Sequence, residues 1–319
     1  MTNVIVFGGC GFIGSHLVKY LNTLGITPII CDIIKQPLLE NLDYIYLNVD
    51  VRESINIDIS NYNINIIYNL AALSKSPGHL KHEYYDTNIK GAENVCDFAR
   101  NNNVNKIVFT STIAVYGFSE KACLENDSLN ADSDYGKSKI EAEKIHYLWD
   151  LEKEDRQLLT LRPAVVYGFK ENSNFHRLYK AIKLGLFFYP GRKDTLKSCI
   201  YVKDLVLLSY KLLDDCESKT VNMCYENALS IEKIVNTIAE ICKHKIPTLI
   251  IPSKILLLLS RVINRLTINK MGIHPERVKK IMYSTNVSGL ELAKLGYELA
   301  KFDVTIKDWY NDSAEKGLL

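Results

Sequence analysis

The sequence predicts an α/β protein, a doubly wound parallel sheet with a smaller C-terminal α/β cap. Three observations carry this. Short β-branched and aromatic runs alternate with amphipathic stretches through about residue 168, the rhythm of βα units that build a parallel sheet. The chain opens on an apolar strand (Val4, Ile5, Val6, Phe7) that passes through Gly8, Gly9, Cys10, Gly11, Phe12, Ile13 and Gly14 into an amphipathic helix ending near Leu24. Beyond residue 168 the rhythm weakens, with no flexible linker at the change. The expected division is therefore 1–168 for the sheet domain and 169–319 for a substrate-binding cap. Some C-terminal segments return to the sheet, and the two parts pack as one body around a cleft.

With 319 residues, 47% hydrophobic and 24% charged, the chain can bury a substantial core. A formal net charge of +2 gives no case for nucleic acid. The first strand starts within three residues of Met1, leaving no room for a signal peptide, and no apolar run reaches the ~20 residues of a membrane span. The eight cysteines are dispersed, without a CxxC pair, which suggests free thiols in a reducing cytoplasm and no zinc site. His79 and His82 lack a partner cluster and belong to a solvated loop, so no metal is expected.

In the opening turn, Gly8 permits the tight bend, Gly11 lets the backbone approach a pyrophosphate, and Gly14 lets helix pack on strand. Unpaired N–H groups at the helix start add donors and partial positive charge. This is a dinucleotide-binding (Rossmann) element. A second strand, Thr27 to Cys31, ends at Asp32, about 18 residues beyond Gly14, where an acid binds the adenosine ribose. An acid there repels a 2′-phosphate, favouring NAD over NADP. A third strand, Tyr44 to Val49, leads into Asp50, Val51 and Arg52. Asp50 either accepts from the adenine amino group or caps a following helix.

The fourth strand, Ile64 to Leu70, runs through Asn69, Leu70, Ala71 and Ala72, small enough for a cofactor to lie against the backbone. A polar loop carries Ser74, and a long helix from about His82 to Asn102 carries Asn88, expected to hydrogen-bond inside the fold. The fifth strand, Lys106 to Thr110, leads through Ser111 and Thr112 to Gly117. A helix from about Ser133 to Leu151 sets Tyr135 and Lys139 one turn apart on one face. The sixth strand, Leu158 to Arg162, precedes Pro163.

In the cap, the pattern predicts a helix over about Asn174 to Leu184, a strand over Leu186 to Tyr189 and a loop with Arg192. A strand over Lys197 to Val202 follows, and Asp204 is placed to cap a helix from Leu205 to Leu213. Lys254 to Leu266 is strongly apolar, with Arg261 and Arg265 one turn apart. It reads either as a helix buried against the cap or as one resting in a membrane interface.

Taken together, these residues resemble the extended short-chain dehydrogenase/reductase superfamily, and within it the NAD-dependent sugar epimerase/dehydratase family, over nearly the whole chain. The resemblance implies a cofactor turn at Gly8, Gly11, Phe12, Ile13 and Gly14, a ribose contact at Asp32 and adenine contacts at Asp50 and Val51. It puts Leu70, Ala71, Ala72 and Asn88 on the cofactor, with Pro163 beside the carboxamide. Thr112 takes the place of the catalytic hydroxyl, and Tyr135 and Lys139 that of the catalytic pair. Lys197 stands where relatives usually have a diphosphate-binding arginine, Asn174 and Phe175 where the nucleotide end is covered. Ser74, Arg192 and Arg277 complete the expected substrate set. The family's dehydratases follow the hydroxyl with Asp-Glu; Ile113 and Ala114 stand here, which disfavours dehydration. Asn174 to Asp204 and Lys245 to Lys280 are most similar to the branch acting on N-acetylhexosamine carried by undecaprenyl diphosphate, although the loop after Ala72 is not.

The implied activity is an NAD-dependent 4-epimerase of a diphosphate-linked hexose or N-acetylhexosamine, on UDP or undecaprenyl diphosphate, in surface polysaccharide synthesis. A phenol of pKa ~10 must be held ionised to serve as base. Lys139 and the nicotinamide charge are expected to do so. Two alternatives stay open: a 4-keto-sugar reductase consuming NADH, and a non-catalytic NAD sensor, against which the intact Thr112, Tyr135, Lys139 set argues. The family also implies a cytoplasmic homodimer paired through the helices near His82 to Asn102 and Ser133 to Leu151, with peripheral membrane contact an option.

Overall fold

The computed structural model describes residues 3–215, 217–258 and 275–315. Seven parallel strands form the main sheet in the order Lys219–Met223, Gln157–Pro163, Lys106–Thr110, Ile66–Asn69, Val4–Phe7, Ile29–Asp32 and Ile45–Asn48. Val4–Phe7 and Ile29–Asp32 are buried along their whole length, as continuous apolar runs demand when helices cover both faces. One face packs on the helices Phe12–Thr23 and Val202–Lys211 through Leu17, Leu21, Leu205 and Leu208. The other packs on Gly91–Asn101 and Asp134–Asp150 through Val95, Phe98, Ala142 and Trp149. Strand order reverses between Val4–Phe7 and Ile66–Asn69. At such a switch point the carboxyl ends of the strands leave a crevice for a ligand.

Several elements differ from the sequence expectation. The helix near Asn88 is broken into Lys81–Tyr85, a π-helical turn Asp86–Lys90 and Gly91–Asn101. The wider turn aims the Asn88 amide inward, and a Cβ on Gly91 would stand 2.9 Å from Val51 Cγ2. The polar stretch after Gly117 contains a strand, Ser119–Cys123, paired with Thr285–Val287. Those two and the strands Leu196–Lys197 and Leu229–Ser230 make a four-stranded sheet in the cap. The expected strand Lys197 to Val202 is split, because Cys199–Tyr201 pairs instead with Val165–Tyr167. Asp204 does not cap: its helix starts at Val202 with Tyr201 at the N-cap, leaving Asp204 in the first turn. No helix follows Asp50 either. Residues 253–258 are helical; the rest of the Lys254 to Leu266 stretch, with Arg261 and Arg265, lies outside the described residues. Among the described residues no helix is long and apolar enough to cross a membrane.

Candidate active site

The glycine turn sits at the switch point. Gly8 adopts φ +78°, and a Cβ there would lie 2.7 Å from Ala71 N. A Cβ on Gly14 would lie 2.4 Å from Gly8 O, whereas at Gly11 the nearest atom is 3.4 Å away. Backbone thus closes on Gly8 and Gly14, while Gly11 keeps an open side. The helix behind begins at Gly11 with no side-chain cap and no acid in its first turn, so its leading N–H groups suit an anion. Asp32 fixes the turn from the neighbouring strand: Oδ2 accepts from Cys10 N at 3.0 Å and Oδ1 from Ile34 N at 3.0 Å. Each oxygen retains a lone pair for a ribose hydroxyl. Cradle, donors and acid fit a dinucleotide.

Two strands along the sheet from this cradle, Lys106–Thr110 leads to the start of the helix Asp134–Asp150. Ser133 Oγ accepts from Gly136 N at 3.1 Å, and a Cβ on Gly136 would come within 2.6 Å of Ala114 O. Only glycine lets the helix approach the Ile113–Val115 turn this closely. That approach sets the Tyr135 phenol against the Thr112 side chain, whose Oγ1 accepts from Ala114 N at 3.1 Å. Burial pushes the Tyr135 phenol up to about 12 against the lowering influence of the Thr112 hydroxyl. Lys139 is buried with its Nζ 4.1 Å from the Phe109 ring centroid. Loss of water pushes this amine down to about 7, opposed by the Glu143 carboxylate. At both groups loss of water is the largest influence, acting against their neighbours.

Glu143 lies one turn beyond Lys139 and is absent from the sequence-based set. Its carboxylate takes both arms of the buried Arg162, Nε at 3.0 Å and Nη2 at 2.7 Å, and accepts from Ser111 Oγ. Arg162 Nη1 reaches Tyr116 Oη at 2.7 Å and Glu125 O at 2.8 Å, and Tyr116 donates to Asn222 Oδ1 at 2.8 Å. The network ties the helix Asp134–Asp150 to three adjacent strand ends. The signal in the sequence is the spacing Tyr135, Lys139, Glu143, three successive turns of one helical face.

Other expected contacts fall elsewhere. Phe175 is buried in an aromatic core, stacked 4.3 Å from Tyr167 and edge-on to Phe302 and Trp309, so its ring builds the core of the cap. The Asn88 amide is spent internally, accepting from Leu73 N at 3.0 Å and donating to Ser138 Oγ at 2.9 Å. These bonds tie the loop after the fourth strand to the helix Asp134–Asp150. Asp50 is chelated by Arg52 (Nε–Oδ1 2.9 Å), and Val51 is buried. Lys197 Nζ donates to the carbonyls of Lys280 and Tyr283, ending the helix Pro275–Met282. Arg192 binds Glu120 and, at 2.9 Å, Ser284 Oγ. Asn174 is exposed at a helix start organised by Glu171, whose Oε1 accepts from Asn174 N at 2.7 Å.

Ser74 is exposed in the loop after the fourth strand, and Lys280 Nζ donates to Ser76 O in that loop at 2.6 Å. Arg277 lies on the same helix as Lys280, its side chain outside the described set. Phe12 packs edge-on to His16, Ile13 and Leu70 line one small apolar cavity, Ala72 is half-buried, and Pro163 closes its strand opposite Met223. Among the described residues no group of three or more His, Cys, Asp or Glu is placed to hold a metal.

Residues 4–225 match the NAD dependent epimerase/dehydratase family. The chain belongs to that family. A curated relative, the N-acetyl-alpha-D-glucosaminyl-diphospho-ditrans,octacis-undecaprenol 4-epimerase of Escherichia coli O157:H7, is 27% identical over 305 residues, spanning 92% of this chain and 90% of its own. The fold matches the UDP-N-acetylglucosamine 4-epimerase of Methanobrevibacter ruminantium M1 in complex with UDP-N-acetylmuramic acid (TM-score 0.77, 20% identity, 98% of each chain). It also matches the UDP-glucuronic acid 4-epimerase of Bacillus cereus in complex with NAD (TM-score 0.75, 19% identity, 99% of each chain).

Proposed function

We propose that this family member is an NAD-dependent 4-epimerase of a diphosphate-linked hexose or N-acetylhexosamine, with undecaprenyl diphosphate as the favoured carrier. The observation that carries the reading is the meeting of the Tyr135 and Thr112 side chains at the carboxyl end of the sheet that also holds the glycine turn, with Lys139 one turn on. Ile113 and Ala114 put no carboxyl group after Thr112, so the site lacks the acid and base of a dehydration. The near full-length similarity to an undecaprenol-linked 4-epimerase supports the carrier.

Gly8, Gly11 and Gly14 with the following helix start hold the cofactor diphosphate, and Asp32 holds the ribose. Bound NAD supplies a reversible hydride acceptor for C4 and a positive charge beside the phenol. Tyr135 Oη takes the proton from the C4 hydroxyl oxygen and returns it after the sugar has presented its other face. Thr112 keeps that oxygen aligned. Glu143 opposes the loss of charge at Lys139, favouring an ammonium facing the phenol when it ionises. The chain acts in the cytoplasm as a homodimer, paired through the helices Gly91–Asn101 and Asp134–Asp150; exposed Tyr147, Leu148 and Leu151 on the latter support that pairing.

The test is incubation with UDP-Glc, UDP-GlcNAc and undecaprenyl-diphosphate-GlcNAc, following inversion at C4 by NMR without added NADH. Inversion with the bound cofactor unchanged is expected. Turnover only with stoichiometric NADH makes the protein a reductase, and no turnover of any substrate removes the catalytic reading.

A further inference from the structure

Two segments of the cap, 172–193 and 241–258, contain no Asp or Glu. They carry Arg177, Lys180, Lys183, Lys243, Lys245 and Lys254. The fold brings them together: Tyr189–Pro190 pairs in parallel with Ile250–Ile251, and the Tyr179 ring lies 5.6 Å from that of His244. On the joined surface Leu184, Leu186, Ile246, Leu249, Ile255 and Leu258 are all exposed, Leu184 and Leu186 each at 67%. Large aliphatic side chains left in water together mark a docking surface. Mixed with lysines, on two segments that themselves carry no acid, this surface matches an anionic lipid leaflet, where leucines enter the headgroup boundary and lysine stems extend to the phosphates. A symmetric contact between two copies would set the lysines of one against those of the other.

We propose that this face docks the protein on an anionic membrane surface, presenting the cap to a substrate whose carrier is anchored in that bilayer. Its purpose rests on the lipid-carrier reading above, whereas the binding itself does not. The loop that leaves the face at Gly191 leads directly to Arg192 and to the strand bearing Lys197, so face and cap are continuous in the chain.

The test is flotation of the full chain with phosphatidylcholine vesicles, with and without phosphatidylglycerol, at low and high salt. Binding only to the anionic vesicles, weakened by salt, is expected. Lys183→Glu/Lys245→Glu should weaken it by roughly 25-fold or more, since each lysine at an anionic leaflet contributes on the order of fivefold. Leu186→Glu/Leu249→Glu should weaken it by at least about tenfold, from lost apolar burial. Both variants should keep the parent melting temperature, these side chains being exposed. No binding to anionic vesicles overturns the proposal, as does equal binding by the variants. So does a smaller oligomer in light scattering of the leucine variant, which would make the face a subunit contact. Inversion of a soluble UDP-sugar without vesicle binding sinks only the membrane surface; vesicle binding without inversion of any substrate sinks only the catalytic reading.

Discussion

Glu143 grips Arg162 with both carboxylate oxygens, Nε at 3.0 Å and Nη2 at 2.7 Å, one helical turn beyond Lys139. One buried anion therefore serves two cations: it neutralises the arginine that joins the strand ends, and it is the group that opposes the loss of charge at Lys139. Glu143→Gln is expected to cost about 3–5 kcal/mol, because it strands the Arg162 charge out of water. It also removes support from the Lys139 ammonium, whose pKa then falls further. An activity needing that ammonium disappears as pH rises through its pKa, so the alkaline limb of the kcat profile should move to lower pH. Glu143→Asp should restore part of it; a profile that stays put with only stability lost would reduce Glu143 to a structural role.

Tyr135→Phe should lower kcat by ~10² or more, the scale of a lost general acid/base, while the melting temperature changes little. Isothermal titration of NAD should show the cofactor still bound. Turnover close to the parent's would take the proton transfer away from Tyr135.

Gly14→Ala sets a Cβ 2.4 Å from Gly8 O and 2.6 Å from Gly9 Cα. Both neighbours are backbone and cannot rotate aside, so the turn must open. Loss of NAD binding with a lower melting temperature is expected by calorimetry, and retained affinity would show that the turn tolerates a wider helix approach.

The buried His146 donates from Nδ1 to Ala142 O at 2.7 Å, which leaves Nε2 to accept from Asn69 Nδ2 at 3.1 Å. A second ring proton would face the Asn69 amide. Burial therefore pushes His146 down to about 3, and His16 to about 4, from the usual 6.5. Below pH 6.5 the unfolded chain binds protons that the fold refuses, so stability should fall progressively from there toward pH 4. Thermal melts between pH 7.5 and about 4.5 check this; a flat profile would mean that neither ring stays neutral.

Phe175→Ala empties the stacked position against Tyr167 and should cost about 3–5 kcal/mol. The folded fraction should keep the parent KM, since the ring lies inside the cap. A raised KM without lost stability would return Phe175 to the substrate site.

The glycine turn and the placing of Tyr135 and Lys139 on one helix were legible in the sequence because their signals are local: glycines three apart between strand and helix, an acid at the next strand end, and Tyr135 and Lys139 at helical spacing. The exposed strand Ser119–Cys123 was not, since its polar residues become a strand only by pairing with Thr285–Val287 across the cap. The π-turn at Asn88 was hidden likewise, its cause being hydrogen bonds to Leu73 and Ser138, the latter far along the chain.

The sequence by itself determined the doubly wound fold and the family, because short-range spacing and hydrophobic periodicity encode them. Only the tertiary structure decided which groups lose water and which charges meet. It made Phe175 core, spent Asp50 on Arg52 and Lys197 on helix carbonyls, and set Glu143 behind Lys139. Desolvation and ion pairing depend on neighbours in space, and those neighbours are distant in the chain.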